Sequence, residues 1–215
     1  VVISEIMHNP ASTPDNSWEW IEVHNPTTSP VDLAGWALDD DLINHSDWVE
    51  HAQKQGVPMG SDLQPTANSA REKAAPRIAI AASKDPLGAN LDRIQIVKGW
   101  IDANGEQYDK VFDAVWAGDR QLDAEGKLPP VGNTVDLTTA TYRNSIGEPL
   151  LAVVWEDPEF NPALPSLYYA RVIEIPTPRW TTFDAVRAGL PLLTTVPATV
   201  QERAWTSPVW YTPGD

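Results

Sequence analysis

Apolar residues in this chain recur in short runs, mostly at a period of two. The first run, VVISEIM, stops at Asn9-Pro10, a turn signal. In SWEWIEVHNP, Ile21 and Val23 share one face of a strand and Trp20 and His24 the other, before a second Asn-Pro. TTSPVDLAGWALDDD offers two very short strands around Gly35. At Ser46 the pattern turns helical. Asp47 and Glu50 have capping-box spacing, and a helix is expected to about Gln55, with Gly56 as its stop and Pro58 beyond. The stretch 39–56 thus reads as a seam, and the two sides are expected not to share a core.

Beyond a polar loop, GSDLQPTANSAREKAAP, the β pattern resumes. RIAIAAS is a β-type run, and DRIQIVKGW puts Ile94, Ile96 and Trp100 on one face. Asn104-Gly105 marks a hairpin, because both residues tolerate positive φ. DKVFDAVW is the returning partner, followed by a long loop, RQLDAEGKLPPVGN. TVDLTTATYRN reads as a Thr-rich strand and LLAVVWEDP as another. SLYYARVIEIPTP is apolar on both faces, which predicts a central strand. RWTTFDAVRAGLP predicts a helix capped by Thr181 or Thr182 and stopped at Gly189 to Pro191. ERAWTSPVWYTP closes as a strand. About six strands are expected after residue 77. The fold class is mostly β, an antiparallel β-sandwich with two short helices, divided at 1–41, 42–76 and 77–215.

Charge narrows the function. The 215 residues carry 15 Lys+Arg against 30 Asp+Glu, a net charge of −15, which repels nucleic-acid phosphates and anionic membranes. No run of about 18 apolar residues is present, so no membrane insertion is expected. With no cysteine, disulfides, thiolate metal sites and a cysteine nucleophile are excluded. The chain opens inside an apolar run without Met and is read as a mature or excised fragment.

ISEIMHNP, EWIEVHNP and VDLAGWAL together resemble the start of a lamin-tail domain, which implies a partial immunoglobulin-like segment over residues 1–41. GVPMGSDL, KDPLGANLDRIQIVKGW, KLPPVGNTVD, ARVIEIPTPRWTTFDAVR and QERAWTSPVWYTP resemble, over residues 47–213, the C-terminal part of the bacterial domain-of-unknown-function family three-six-zero-four. That resemblance implies an exported protein, periplasmic or extracellular. It also implies a metal-hydrolase core similar to the polymerase-and-histidinol-phosphatase type, with His-x-His and Asp ligands. No His-x-His occurs here, so those ligands map to no residue of this chain. The expected partner is therefore that core, on polypeptide outside these residues.

Candidate chemistry within the chain is sparse. His8, His24, His45 and His51 do not show convergent zinc spacing, although His45, Asp47 and His51 could meet by folding back. Asp39 to Asp41 form an acidic run. DPLGANLD and DAEGKLPPVGN look calcium-like but lack the spaced oxygens and closing Glu of a calcium loop. No cofactor is expected. Glu156 with Asp157, or Glu174 with Glu202, could serve as carboxylate pairs. Glu174 lies in an apolar strand where Arg171, Arg179 or Arg203 could neutralise it, so Glu174, Arg179, Glu202 and Arg203 are the catalytic candidates. Ser61 and Ser207 lie outside any G-x-S-x-G elbow. The ten tryptophans suit core packing or a sugar-stacking face, with Trp180, Trp205 and Trp210 the binding candidates. Pro176 and Pro178 in IPTPRW make a rigid corner from which Arg179 could meet an anionic substrate. The expected function is a non-catalytic β region that supports or covers an active site elsewhere. An extracellular module binding carbohydrate or protein through exposed Trp is the alternative.

Overall fold

The structure is a computed structural model that describes residues 2–6, 21–24, 35–36, 56–63 and 75–214. The helix expected over 47–55, the Asp39–Asp41 run, and His8, His45 and His51 lie outside the described residues.

Strands β1 (Val2–Ile6) and β2 (Ile21–His24) pair antiparallel as a two-stranded sheet. A three-stranded sheet runs β3 (Gly35–Trp36), β5 (Arg77–Ser83), β8 (Leu150–Glu156), all antiparallel. The largest sheet is ordered β4 (Asp62–Leu63), β13 (Val209–Tyr211), β9 (Ser166–Glu174), β6 (Leu91–Ile101), β7 (Gln107–Trp116), with β12 (Arg203–Trp205) also on β9. Its pairings are antiparallel except β13 with β4, which is parallel. A short pair, β10 (Thr177–Pro178) and β11 (Thr199–Val200), flanks helix α1 (Trp180–Ala188). The described chain is mostly β, with antiparallel sheets and one short helix, as the pattern predicts.

The period of two explains the sandwich. Ile94 and Ile96 on β6, Tyr168, Ala170 and Val172 on β9, and Ala204, Val209 and Tyr211 face Ile78, Ile80, Leu151 and Trp155 of the smaller sheet. Trp155 sits between Phe112 (ring centroids 5.2 Å apart) and Tyr168 (6.3 Å). Each fully buried Ile or Leu here contributes roughly 1.5–3 kcal/mol. Strand β9 is central, flanked by β6 on one side and by β12 and β13 on the other.

Local turn chemistry departs from expectation at four places. The β6–β7 turn is closed by Asp102, whose backbone N–H donates to Glu106 O and whose carbonyl accepts from Gly105 N, each at 3.0 Å. Only Gly105 takes positive φ (+85°), so this is a type I turn with a glycine bulge, and Asn104 needs no left-handed conformation. TVDLTTATYRN is not a strand. Asp136 Oδ1 accepts from the N–H (2.8 Å) and hydroxyl (2.6 Å) of Thr138, and Ala140 takes φ +50°, so the segment coils into a turn closed by the bridge Asp136 to Thr141. The closing strand is split into β12 and β13 around Thr206–Pro208, where Pro208 has no N–H to give to the ladder. Helix α1 begins on Arg179, not on a threonine cap. Thr182 Oγ1 donates to Ala198 O (2.7 Å), which ties the helix to the segment before β11. Gly189, at φ +65°, ends the helix as expected.

Candidate functional site

The six-stranded sheet has one face in the core and one facing outward, and the candidate side chains lie at its two ends and on that outward face. At the end where β9 leaves the sheet, Glu174 N donates to Glu202 O (3.0 Å) and brings the two acids together. Burial is the main reason the Glu174 carboxyl is pushed up to about 7. The negative charges of Glu202 and Asp85 add to it, and Lys84 opposes it. The expected arginine neighbours sit elsewhere. Arg171 points outward to Gln95, Arg203 is exposed at the start of β12, and Arg179 precedes α1 with its Nε buried and unbonded among the described residues. The calcium-like loop DPLGANLD holds its own cation: Lys84 Nζ donates to the carbonyls of Asp85 (2.7 Å), Pro86 (3.2 Å) and Gly88 (3.0 Å). In DAEGKLPPVGN the Asp123 carboxylate accepts the backbone N–H groups of Glu125 and Lys127. Among the described residues no three His, Cys, Asp or Glu are placed to hold a metal.

Two buried polar hubs were not visible in the sequence, because each joins residues far apart in the chain. Asp92 accepts from Arg120 Nη2 (2.7 Å), Gln201 Nε2 (3.0 Å) and Arg93 Nε (3.2 Å). Gln201 Nε2 also donates to Glu174 O (2.8 Å), so the hub buttresses the Glu174 end. Asp157 accepts from Lys98 Nζ (2.6 Å), Tyr168 OH (2.7 Å) and Glu159 N (2.9 Å). Burial, ahead of the neighbouring Asp157, raises the Tyr168 phenol far above its ordinary value, so it stays a donor.

The outward face carries a row that crosses four strands: Trp205 opposite Arg171, Arg171 opposite Gln95, Gln95 opposite Asp113. Arg171 Nη2 and Nε donate to Gln95 Oε1 (2.6 and 2.9 Å), and Gln95 Nε2 donates to Asp113 Oδ1 (2.7 Å). The side chains are thus held in place before anything binds. The next row is apolar, with Tyr169 and Val111 on either side of Val97. Val111 is 41% exposed and Trp205 46%.

The far end of the same sheet forms a groove of about 700 Å³ lined by Trp100, Tyr108, Trp210, Asp62 and Asp109 among others. The Trp100 and Tyr108 rings stack, 5.6 Å between centroids and 17° between planes. Of the three tryptophans singled out in the sequence, Trp210 lines this groove, Trp205 stands on the outward face and Trp180 opens α1. Trp205 and Trp210 lie opposite Arg171 and Leu167 of β9, roughly 13 Å apart along the strand, and Trp180 is on the helix, not on this sheet.

A profile of the family described as protein of unknown function (DUF3604) matches residues 32–213. It begins upstream of residue 47, inside the VDLAGWAL block, and β3 within that block pairs with β5. No curated protein and no solved structure matches the chain.

Proposed function

The chain belongs to the DUF3604 family, and from that premise we propose that it is a non-catalytic β region that docks, through the outward face of its large sheet, on a metal-dependent hydrolase core carried by other polypeptide. The resemblance to that family supports a core of the polymerase-and-histidinol-phosphatase type and an exported protein, periplasmic or extracellular. The reaction belongs to the core, and no cofactor is assigned to the residues described above.

One observation carries the docking reading. A half-exposed Trp beside a pre-ordered Arg–Gln–Asp row and an apolar row has the composition of an interface centre, where aromatic residues and Arg are enriched. Cross-strand hydrogen bonds already fix these rotamers, so little side-chain entropy remains to be lost on association. The Glu174 and Glu202 pair fits a supporting role. The backbone carbonyl of Glu174 joins the Asp92 hub through Gln201, and Glu174 N donates to Glu202 O, an arrangement that anchors the ends of β6 and β9.

The test of the non-catalytic assignment is direct. The 215-residue chain with added Mn²⁺ or Zn²⁺ is incubated with p-nitrophenyl phosphate and bis-p-nitrophenyl phosphate. No turnover above a protein-free control is expected, and turnover above it overturns the assignment.

A further inference from the structure

Two acids at the far end of the outward face are exposed, and their charges constrain what can cover it. Strand pairing sets Asp62 beside Trp210, Trp210 beside Leu167, Leu167 beside Gly99 and Gly99 beside Asp109, one row across the sheet. Leu167 and Arg171 are four residues apart on β9, so this row lies on the same face as Trp205. Trp210 is 46% exposed, and Asp62 and Asp109 are exposed as well. Gly99 has no side chain, so with Leu167 it makes a low floor between Trp210 and Asp109 in the groove.

Charge on this face is balanced at one end and unbalanced at the other. Asp113, in the Trp205 row, has Arg93 at 3.4 Å and accepts from Gln95. Among the described residues neither Asp62 nor Asp109 has an ion-pair partner, and no Lys, Arg or His lines the groove. Docking over this face removes both carboxylates from water, and a buried carboxylate left unpaired is strongly unfavourable. An apolar cover therefore fits poorly. A second copy of the chain, at a net charge of −15, sets acid against acid. Four strand spacings separate the two acids, roughly 19 Å, so no single metal ion bridges them. A lysine or arginine meets both needs of the row. Its methylenes lie along Leu167 and over Gly99, and its charged head rests on the Trp210 ring beside Asp62. We infer that the surface of the hydrolase core covering this end is basic, with one Lys or Arg over Trp210 beside Asp62 and another facing Asp109. Arg203 is exposed on the same face, roughly 20 Å from Trp210 along the strands. The face thus carries opposite charge at its two ends, which selects one orientation of the core.

This inference rests on the docking reading and names the chemistry of its partner surface. Carboxylates of the 215-residue chain and of a longer family polypeptide carrying the core are labelled with a carbodiimide and glycine ethyl ester. Labelling of Asp62 and Asp109 is expected to fall at least about fivefold in the longer polypeptide. The second arm is Asp62→Lys with Asp109→Lys in that polypeptide, which sets like charges together. Hydroxyl-radical reactivity of Trp210 is expected to rise at least about threefold over the unmutated polypeptide. The same double variant of the 215-residue chain should keep its urea midpoint, since both positions are exposed. Free labelling of Asp62 and Asp109 while Trp205 and Val111 are protected overturns the inference and leaves docking standing. Unchanged Trp210 reactivity in the variant shows a cover that is not basic and also overturns it. Full exposure of all four residues in the longer polypeptide overturns the docking reading, and this inference with it.

Discussion

Gly147 and Glu174 show how much single residues decide here. Gly147 has φ +75°, and a Cβ there would lie 2.6 Å from Ile175 Cγ2 and 2.8 Å from the Leu91 carbonyl oxygen. Gly147→Ala therefore meets both left-handed strain and backbone overlap, and is expected to lose at least about 2 kcal/mol, read as a lower urea midpoint. Glu174 gives a pH signature. Its folded-state carboxyl titrates near 7 against an ordinary 4.5, so the native state holds the proton more tightly than the unfolded chain. Its contribution is fully present below about pH 4.5 and is lost as pH rises through about 7. Glu174→Gln is expected to raise stability by on the order of 2 kcal/mol at pH 8 and to leave it nearly unchanged at pH 4, measured by urea unfolding at both values. Of these two residues, the sequence marks Glu174, as an acid inside an apolar strand. It gives no sign of Gly147, whose constraint comes from Ile175 and Asn90, far along the chain.

At the scale of elements, alternation identifies β6 and β7, and apolar runs of strand length identify β5, β8 and the central β9. Pro176 correctly ends the central strand at Glu174. The Thr-rich segment misleads, since β-branched residues suggest a strand while the Asp136 side chain offers the backbone a turn instead. Lys98 is the other lesson. In DRIQIVKGW it falls on the inward face, and burial there is possible because the Asp157 carboxylate and the Glu159 carbonyl, on the segment after β8, meet it. Lys98→Met leaves Asp157 charged and buried, and should destabilise the protein by roughly 3–5 kcal/mol. The double variant Lys98→Met with Asp157→Leu should recover much of that loss. Urea midpoints of the two single variants and the double variant form the cycle, and additive losses would show that the pair is not coupled.

Over the whole molecule, the two-layer β architecture follows from the spacing of apolar residues, and the DUF3604 assignment agrees with blocks quoted from the sequence. The candidate site was only partly legible. Trp205 and Trp210 stand out as residues, but their places depend on register: both lie on the outward face, one aligned with Arg171 and the other with Leu167 at the groove. Trp100 and Tyr108 read as ordinary strand residues until the hairpin places them side by side. The central proposal is that the outward face covers a hydrolase core. Hydroxyl-radical footprinting of Trp205 and Val111 measures this most directly, comparing the 215-residue chain alone with the same residues in a longer family polypeptide that carries the core. At least about fivefold protection of both side chains in the longer polypeptide is the expected result, and equal reactivity in the two would contradict it.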